Sequence, residues 1–285
     1  MKGQDIAAPD AEMESASRPD TPRRHRVSVV IPAKNEALNI GWVLSRLPPS
    51  VDEVVLVDGL SSDATVTVAQ AIWPGIVVVD ERRPGKGAAL RAGFDVATGD
   101  YIVMLDADGS MDPQEMGRFI ELLDNGHDLV KGSRFLQGGG TADMSVLRET
   151  GNRCLLAIAN LLFGTGHTDL CYGYAAFRRH AILALEVTAD GFEVETELFL
   201  RATRNGLTVG EVPRFEAPRR TGASNLHTFR DGWRVLRTIV AERRRPVGPA
   251  TEVPAGTLEI LVEPEVAEPQ PVTVGGSGIR RQAID

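Results

Sequence analysis

"VSVVIPAKNEALNIGWVLSRL", residues 27–47, sets the fold class. The apolar run "VSVVI" suits a buried strand, and Ile40, Val43, Leu44 and Leu47 then recur at i, i+3, i+4 and i+7, the spacing of one helix face. The unit repeats: "EVVLVD" (53–58) leads into a helix through "SSDATVTVAQAI", "GIVVVD" (75–80) into one through "GKGAALRAGFDVA", and "YIVML" (101–105) forms a fourth strand. Short strands that are apolar on both faces and separated by helices make a parallel sheet. Ligands of such sheets bind at the carboxyl ends of the strands, where Asn35, Asp58, Asp80 and Asp106 all fall.

Beyond residue 113 the pattern loosens. We expect a helix at 113–124, a strand in "DLVKGS", the glycine-rich "FLQGGGTAD", a long helix over 145–163, and strands in "YGYAAF" and "GLTVGEVP" flanking a helix at 193–204. No internal repeat is present. The expectation is one α/β domain over 27–245, Rossmann-like, with a mostly parallel central sheet flanked by helices. It divides into a nucleotide-type half (27–112) and an acceptor-type half (113–245). Residues 1–26 read as a disordered polar arm, and 246–285, rich in Pro, Val and Glu, as a flexible tail.

The chain has 285 residues, 31 Lys plus Arg and 39 Asp plus Glu, and the resulting net charge of −8 argues against general nucleic-acid binding. With only Cys154 and Cys171 there is no disulfide framework, and both read as small core residues of a protein in a reducing, cytoplasmic compartment. The N-terminus has no signal-peptide core, and "CLLAIANLLFG" falls well short of the roughly 20 apolar residues that cross a bilayer.

In "GDYIVMLDADGSMDP" (99–113), Asp106 and Asp108 stand one residue apart on a nearly extended chain and so point to one side. Like charges so placed repel unless a cation joins them, and hard oxygen ligands suit Mg²⁺ or Mn²⁺. Solvated caps at a strand end are the plainer alternative. Asp58 and Asp63 in "VDGLSSD" could bind ribose hydroxyls or a base edge; Asp63 could equally cap the next helix. Lys86 lies between two glycines at a helix start, a place that favours anions. Arg134 precedes a glycine run, Arg148 and Arg153 lie on the long helix, and Arg219, Arg220 and Ser224 share a turn-rich loop; guanidinium groups there suit phosphate. Finally, "TFRDGWRVLRTIVAERRR" (228–245) puts Phe229, Trp233, Leu236 and Val240 on one stripe among arginines. That pattern fits a membrane surface, or equally a helix packed on the core with a solvated basic face.

Taken in order, "VVIPAKNE", "VLVDGLSSDAT", "GKGAALRAGF", "GDYIVMLDADGSMDP", "KGSRF" and "RRTGASNL" resemble the family 2 glycosyltransferases of GT-A fold, over about residues 27–240. Within them the chain is similar to the dolichol- and polyprenyl-phosphate mannose synthases. The resemblance implies nucleotide contacts at Pro32, Asn35, Glu36 and Asp58, a diphosphate contact at Lys86, and a metal on Asp106 and Asp108. It further implies that Arg134 and Arg148 steady the acceptor phosphate and donor diphosphate, and that Arg219, Gly222 and Ser224 form the Arg-x-x-Gly-x-Ser loop, with Asn225 where a lysine is common. Asp169 and Gly173 match the family in "TDLCYGYAAFRR", whereas Cys171 and Tyr172 are unusual there. One glutamate of "GFEVETEL" (Glu193, Glu195 or Glu197) is implied to face the acceptor, and Glu195 is carried forward as catalytic.

The expected reaction is inverting transfer of a sugar from a nucleotide diphosphate sugar, of GDP-mannose or UDP-glucose type, to a polyprenyl or dolichyl phosphate. The metal, Mg²⁺ or Mn²⁺, would neutralise the departing diphosphate. Peripheral attachment through 228–245 to the inner face of the membrane would bring the enzyme to a lipid acceptor. A soluble sugar or small-molecule hydroxyl is the alternative acceptor and would need a carboxylate base among Asp169, Glu193 and Glu195. Two remoter readings are a non-catalytic nucleotide-sugar binder and a haloacid-dehalogenase-type phosphatase, whose Asp-x-Asp-Gly-Thr/Ser motif "VMLDADGS" also resembles. Those phosphatases place the motif after their first strand, whereas here three β/α units precede it.

Overall fold

The computed structural model describes residues 24–222 and 226–245; the expected arm up to residue 23, Ser224 of the turn-rich loop and the tail from 246 lie outside the described residues. Arg24 and Arg26, assigned to the arm above, are anchored: Arg24 pairs with Asp52 at 2.7 Å, and the Arg26 N–H donates to Asp100.

The first half follows the expected alternation. It comprises β1 (Val27–Ala33), α1 (Ile40–Ser45), β2 (Glu53–Asp58), α2 (Thr65–Ile72), β3 (Val77–Asp80), α3 (Lys86–Val96) and β4 (Tyr101–Met104). Strand β1 runs parallel to β2 and β4, and β2 parallel to β3. Successive side chains enter opposite layers, Val29 and Ile31 packing with Leu56 and Val103, and Val30 with Val55, Val57 and Ile102. Both faces are therefore covered, which is why these strands lack polar alternation. Helix α3 lies so close that a Cβ on Gly93 would come within 2.3 Å of Val30.

The second half is built differently. A 3₁₀ turn at Pro113–Glu115 precedes α4 (Met116–Asp124), so the helix expected from 113 winds tightly before it becomes regular. Asp112 caps the turn by accepting from the Gln114 N–H at 3.1 Å, with Pro113 at the first position. Then come β5 (Leu129–Ser133), β6 (Gly140–Thr141), α5 (Val146–Phe163), β7 (Ala175–Arg178), α6 (Arg179–Ala184), α7 (Val194–Arg204), β8 (Val209–Pro213), β9 (Phe215–Glu216) and α8 (Thr228–Arg244). The main sheet has the order β3-β2-β1-β4-β7-β5-β8, with β7 antiparallel to both neighbours, and β6 pairs with β9 apart from it.

Two helices bear on function. Ser145 starts α5 by accepting from the Arg148 N–H, and Gly164, at φ 66°, stops it. Only Ala159 of α5 is fully buried, and Cys154, expected in the core, is exposed because α5 is covered on one side only. Helix α8 packs on α5 and α7 through Val235 and Ile239, not through the stripe expected from the sequence. Its rotation is fixed by Glu242, which meets Arg201 of α7 at 2.5 Å, and by Asp231, which accepts from the His227 N–H at 2.7 Å. Leu236 and Val240 end half-buried, while Phe229 and Trp233 stay 80% and 61% exposed.

Candidate active site

A cleft of about 480 Å³ opens at the carboxyl ends of β1 and β4, between the β1–β4 half and a wall formed by α7, β9 and the loop after it. Asp106 and Asp108 leave β4 directly into it. The turn holds them there: Gly109 takes φ 74°, and one Asp108 oxygen accepts from the Ser110 N–H at 3.0 Å. Each carboxylate also meets a cation of the chain. Lys86 Nζ lies 2.5 Å from Asp106 and 2.7 Å from Glu195; Arg219 lies 3.4 Å from Asp108 and pairs with Glu36. The loop is latched by more than charge, since Thr221 and Asn39 exchange hydrogen bonds and the Arg220 guanidinium stacks 4.7 Å over Trp42.

Lys86 is thus a cleft residue, yet its glycines serve another purpose. A Cβ on Gly85 or Gly87 would collide with the carbonyls of Asp190 and Ala189, and the Gly87 and Ala88 N–H groups donate to Asp190 O at 2.8 and 3.2 Å. The N-terminus of α3 is consequently spent on the segment leading to α7, and only the lysine side chain reaches the cleft. Burial pulls the Lys86 pKa down, but Asp106 and Glu195 outweigh it, so the group is held above the ordinary lysine range. Burial raises Glu195, with Lys86 opposing. Gly173 forms the floor, because a Cβ there would meet Lys86 Nζ, Glu195 and Asp106 all within 3.0 Å.

The three glutamates of "GFEVETEL" separate clearly. Glu195 lines the cleft; Glu197 is buried, accepting from the Thr188 and Ala189 N–H groups; Glu193 accepts from the Gly191 N–H at 3.2 Å. At the nucleotide-type end, Pro32 and Glu36 line the cleft beside Lys34, Gly59, Leu60 and Arg82. Asp58 is buried beside it, one oxygen accepting from the Ser61 N–H and the other without a partner among the described residues. Asn35 and Asp63 lie elsewhere: Asn35 accepts from the Ser62 N–H, and Asp63 from the Thr65 and Ala37 N–H groups, so both fasten the loops after β1 and β2 to each other.

Arg134 lines the opposite end but its donors are engaged. It makes a two-pronged contact with Asp169, at 2.7 and 3.1 Å, and reaches Glu216 at 3.2 Å. No motif or periodicity pointed to Glu216, whose place on β9 the β6–β9 pairing creates. Burial raises the Cys171 thiol to about 12, so it is no thiolate at neutral pH. Arg148 and Asp143 complete the rim. Next to it a shallow groove of about 560 Å³ is lined by Leu147, Leu226, His227, Thr228, Phe229 and Arg230, and Leu226 borders both spaces.

Among the described residues no three His, Cys, Asp or Glu side chains form a metal cage. Asp106 and Asp108 offer a pair of hard oxygen ligands at the cleft, which fits a Mg²⁺- or Mn²⁺-type ion that takes its other ligands from water and substrate phosphates.

The family model described as glycosyl transferase family 2 matches residues 28–185. The chain belongs to this family. Proteins of known name resemble it over about three quarters of its length. The polyprenol monophosphomannose synthase of Mycolicibacterium smegmatis is 32% identical, covering 76% of this chain and 87% of that protein. Glycosyltransferase AglJ of Haloferax volcanii is 33% identical over 74% of this chain and 70% of its own. The glucosyl-3-phosphoglycerate synthase of Mycobacterium tuberculosis, crystallised with Mn²⁺, UDP-glucose and phosphoglyceric acid, superimposes with a TM-score of 0.60 at 26% identity, covering 78% of this chain and 81% of that one. The mostly parallel sheet flanked by helices is the GT-A arrangement of a glycosyltransferase. Among the described residues no helix is long and apolar enough to cross a membrane.

Proposed function

We propose that this glycosyltransferase moves a hexose, with inversion, from a nucleoside diphosphate sugar to a polyprenyl phosphate. The observation that carries the acceptor is the groove bordered by Leu147, Leu226 and Phe229, which continues from the catalytic cleft and has Arg148 and Arg230 at its rim. A phosphate held in the cleft would let its hydrocarbon chain leave over an apolar surface. The Mycolicibacterium relative, a polyprenol monophosphomannose synthase, supports the same reading.

The nucleoside would lie along Pro32, Gly59 and Leu60, with Asp58 facing it from below and Asp63 and Asn35 holding the two loops in register. Asp106 and Asp108 would hold a divalent metal, which supplies Lewis-acid neutralisation of the leaving diphosphate. Lys86 and Arg219, which pair with Asp106 and Asp108 here, would with a metal on those carboxylates be available to the diphosphate they are suited to bind. The acceptor phosphate oxygen attacks the anomeric carbon as the bond to the diphosphate breaks, and the electron pair departs with the nucleoside diphosphate. With a second ionisation near pH 6, that phosphate needs no strong base. Arg134 and Arg148 are the cations on the acceptor side, Arg134 being shared with Asp169 and Glu216.

A second reading, transfer to a small hydroxyl acceptor, draws on Glu195, a buried carboxylate in the cleft with a raised pKa, and on the soluble acceptor of the Mycobacterium neighbour. The test is turnover of labelled GDP-mannose or UDP-glucose with Mn²⁺, offering detergent-dispersed polyprenyl phosphate and 3-phosphoglycerate in parallel. The lipid reading expects a chloroform-soluble sugar product and Glu195→Gln turnover that survives. Product from the hydroxyl acceptor alone, abolished in Glu195→Gln while donor still binds, overturns it.

A further inference from the structure

Strands β5 and β8 are parallel neighbours, and their register sets Lys131 opposite Glu211. The two side chains are 1% and 0% exposed, and neither lines the cleft. Lys131 Nζ lies 3.3 Å from the Glu211 carboxylate and 4.5 Å over the Phe199 ring of α7. A buried ion pair is a poor stabiliser, because withdrawing two charges from water offsets their attraction, and apolar residues of similar volume often serve as well. Stability alone therefore does not account for this pair, and what Glu211 holds supplies a further use.

Both Glu211 oxygens accept from the Thr168 N–H at 3.1 Å, and one also accepts from the Thr168 hydroxyl at 2.9 Å. With its proton given to Glu211, Thr168 Oγ1 can only accept from Ser133 Oγ, 2.6 Å away. Ser133 Oγ in turn accepts from the N–H groups of Phe135 and Leu136 at 3.3 and 3.2 Å. The chain that starts at Glu211 thus reaches both sides of one contact. Thr168 precedes Asp169, and Ser133 and Phe135 flank Arg134, whose guanidinium meets Asp169 and lines the cleft. The same segment goes on to Cys171 and the floor residue Gly173, and at its start the His167 carbonyl accepts from Asn160 of α5 at 2.8 Å. A polar network whose members are satisfied by one another is stiff, so a change at Glu211 is felt at Arg134.

We infer that Glu211 is a positioning residue for the acceptor end of the cleft: through Thr168 and Ser133 it fixes the Arg134–Asp169 contact and the floor beside it, and Lys131 supplies the counter-charge that lets a carboxylate stand at that depth. The inference rests on the proposed function in one respect, that Arg134 faces the acceptor phosphate. Glu211 itself touches no substrate and acts only through the residues it holds.

Two paired variants of the full-length protein separate positioning from stability. Lys131→Met/Glu211→Gln removes both charges but keeps an oxygen for Thr168, whereas Lys131→Met/Glu211→Leu removes the oxygens as well. Neither strands a charge, so both should fold, which urea unfolding checks. Should the Leu variant not fold, Thr168→Val, which cuts the chain at its middle, is read in its place. Amide hydrogen exchange needs neither donor nor acceptor. In the Leu variant the amides of 168–171 should exchange about fivefold faster or more, the equivalent of one lost hydrogen bond, with β1 to β4 unchanged. In the Gln variant they should stay within about twofold of wild type. Turnover is then measured with Mn²⁺ and a phosphate-bearing acceptor, polyprenyl phosphate or 3-phosphoglycerate, whichever the wild type uses. The Leu variant should raise the acceptor KM about tenfold and leave the donor KM alone, and the Gln variant should restore it, because a small displacement of Arg134 is enough to weaken its contact with the acceptor. A wild type that uses neither acceptor counts against the proposed function, and amide exchange alone then decides the inference. The inference is overturned if exchange at 168–171 in the Leu variant matches wild type, if exchange rises while the acceptor KM holds, if donor and acceptor KM rise together, or if the Gln and Leu variants behave alike.

Discussion

Replacing Arg134 by Met tests whether this arginine is first a structural cation. Its side chain is 3% exposed and that of Asp169 1%, so the pair is withdrawn from water, with Glu216 as a further contact. Removing one partner of such a pair strands a buried charge and costs about 3–5 kcal/mol. Asp169 keeps two backbone donors, Arg134 N–H at 3.2 Å and Cys171 N–H at 3.0 Å, so the lower end, about 3 kcal/mol, is expected at pH 7. At about 2–4 °C per kcal/mol for a domain of this size, Tm should fall by roughly 6–12 °C. The pH dependence is more diagnostic. Burial raises the Asp169 pKa, but Arg134 outweighs it and the carboxyl is held below its ordinary range. Its stabilisation in wild type is therefore full above the unfolded pKa of about 3.9 and fades as pH falls through the lower folded value. In Arg134→Met burial remains while the cation is gone, so the folded pKa moves above the unfolded one and protonation favours the fold. The stability gap between variant and wild type, read from urea unfolding, should therefore narrow between pH 7 and about pH 4.5. A gap under about 1 kcal/mol at pH 7, or one that does not change with pH, refutes the argument. Arg134→Met/Asp169→Leu, with both charges removed, should recover most of the loss.

Asp108→Ala should abolish Mn²⁺-dependent sugar transfer with little loss of Tm; full activity in this variant would sink the metal assignment. His167 is a separate acid sensor in the core: burial, with Lys131 nearby, holds its pKa at about 3. Because the unfolded chain takes up a proton near pH 6.5, acidification to pH 5 should cost about 2 kcal/mol through this residue alone. Most of that slope should vanish from the urea midpoints of His167→Gln.

The first half was legible because its strands are buried on both faces, so each appears as an apolar run, and because ligands of a parallel sheet meet at strand ends. Asp106, Asp108 and Lys86 converge as that logic requires. The second half hid its order: β7 inserts antiparallel between β4 and β5, and such pairing over roughly seventy residues leaves no local periodicity. Two-residue strands such as β6 and β9 carry no pattern at all, so Glu216 could not be anticipated. The error on α8 has a different origin. Phe229, Trp233, Leu236 and Val240 make as good an apolar stripe as Val235 and Ile239, and what chose between them was the Arg201–Glu242 pair, a contact across 41 residues.

The single ladder between β4 and β7 also limits how relatives could be recombined. Among the described residues Tyr101–Met104 against Ala175–Arg178 is the only strand pairing that joins the two halves of the main sheet, and the Arg179 N–H extends it to Asp100 O at 2.9 Å. A chimera that took everything after residue 113 from another enzyme would keep one side of this seam and import the other. Ala175 and Ala176 are fully buried in the layers on opposite faces of the sheet, so a bulkier residue at either position in the incoming strand would overpack one of those layers beneath Asp106. Such an exchange is therefore expected to fold only where the incoming β7 carries equally small residues.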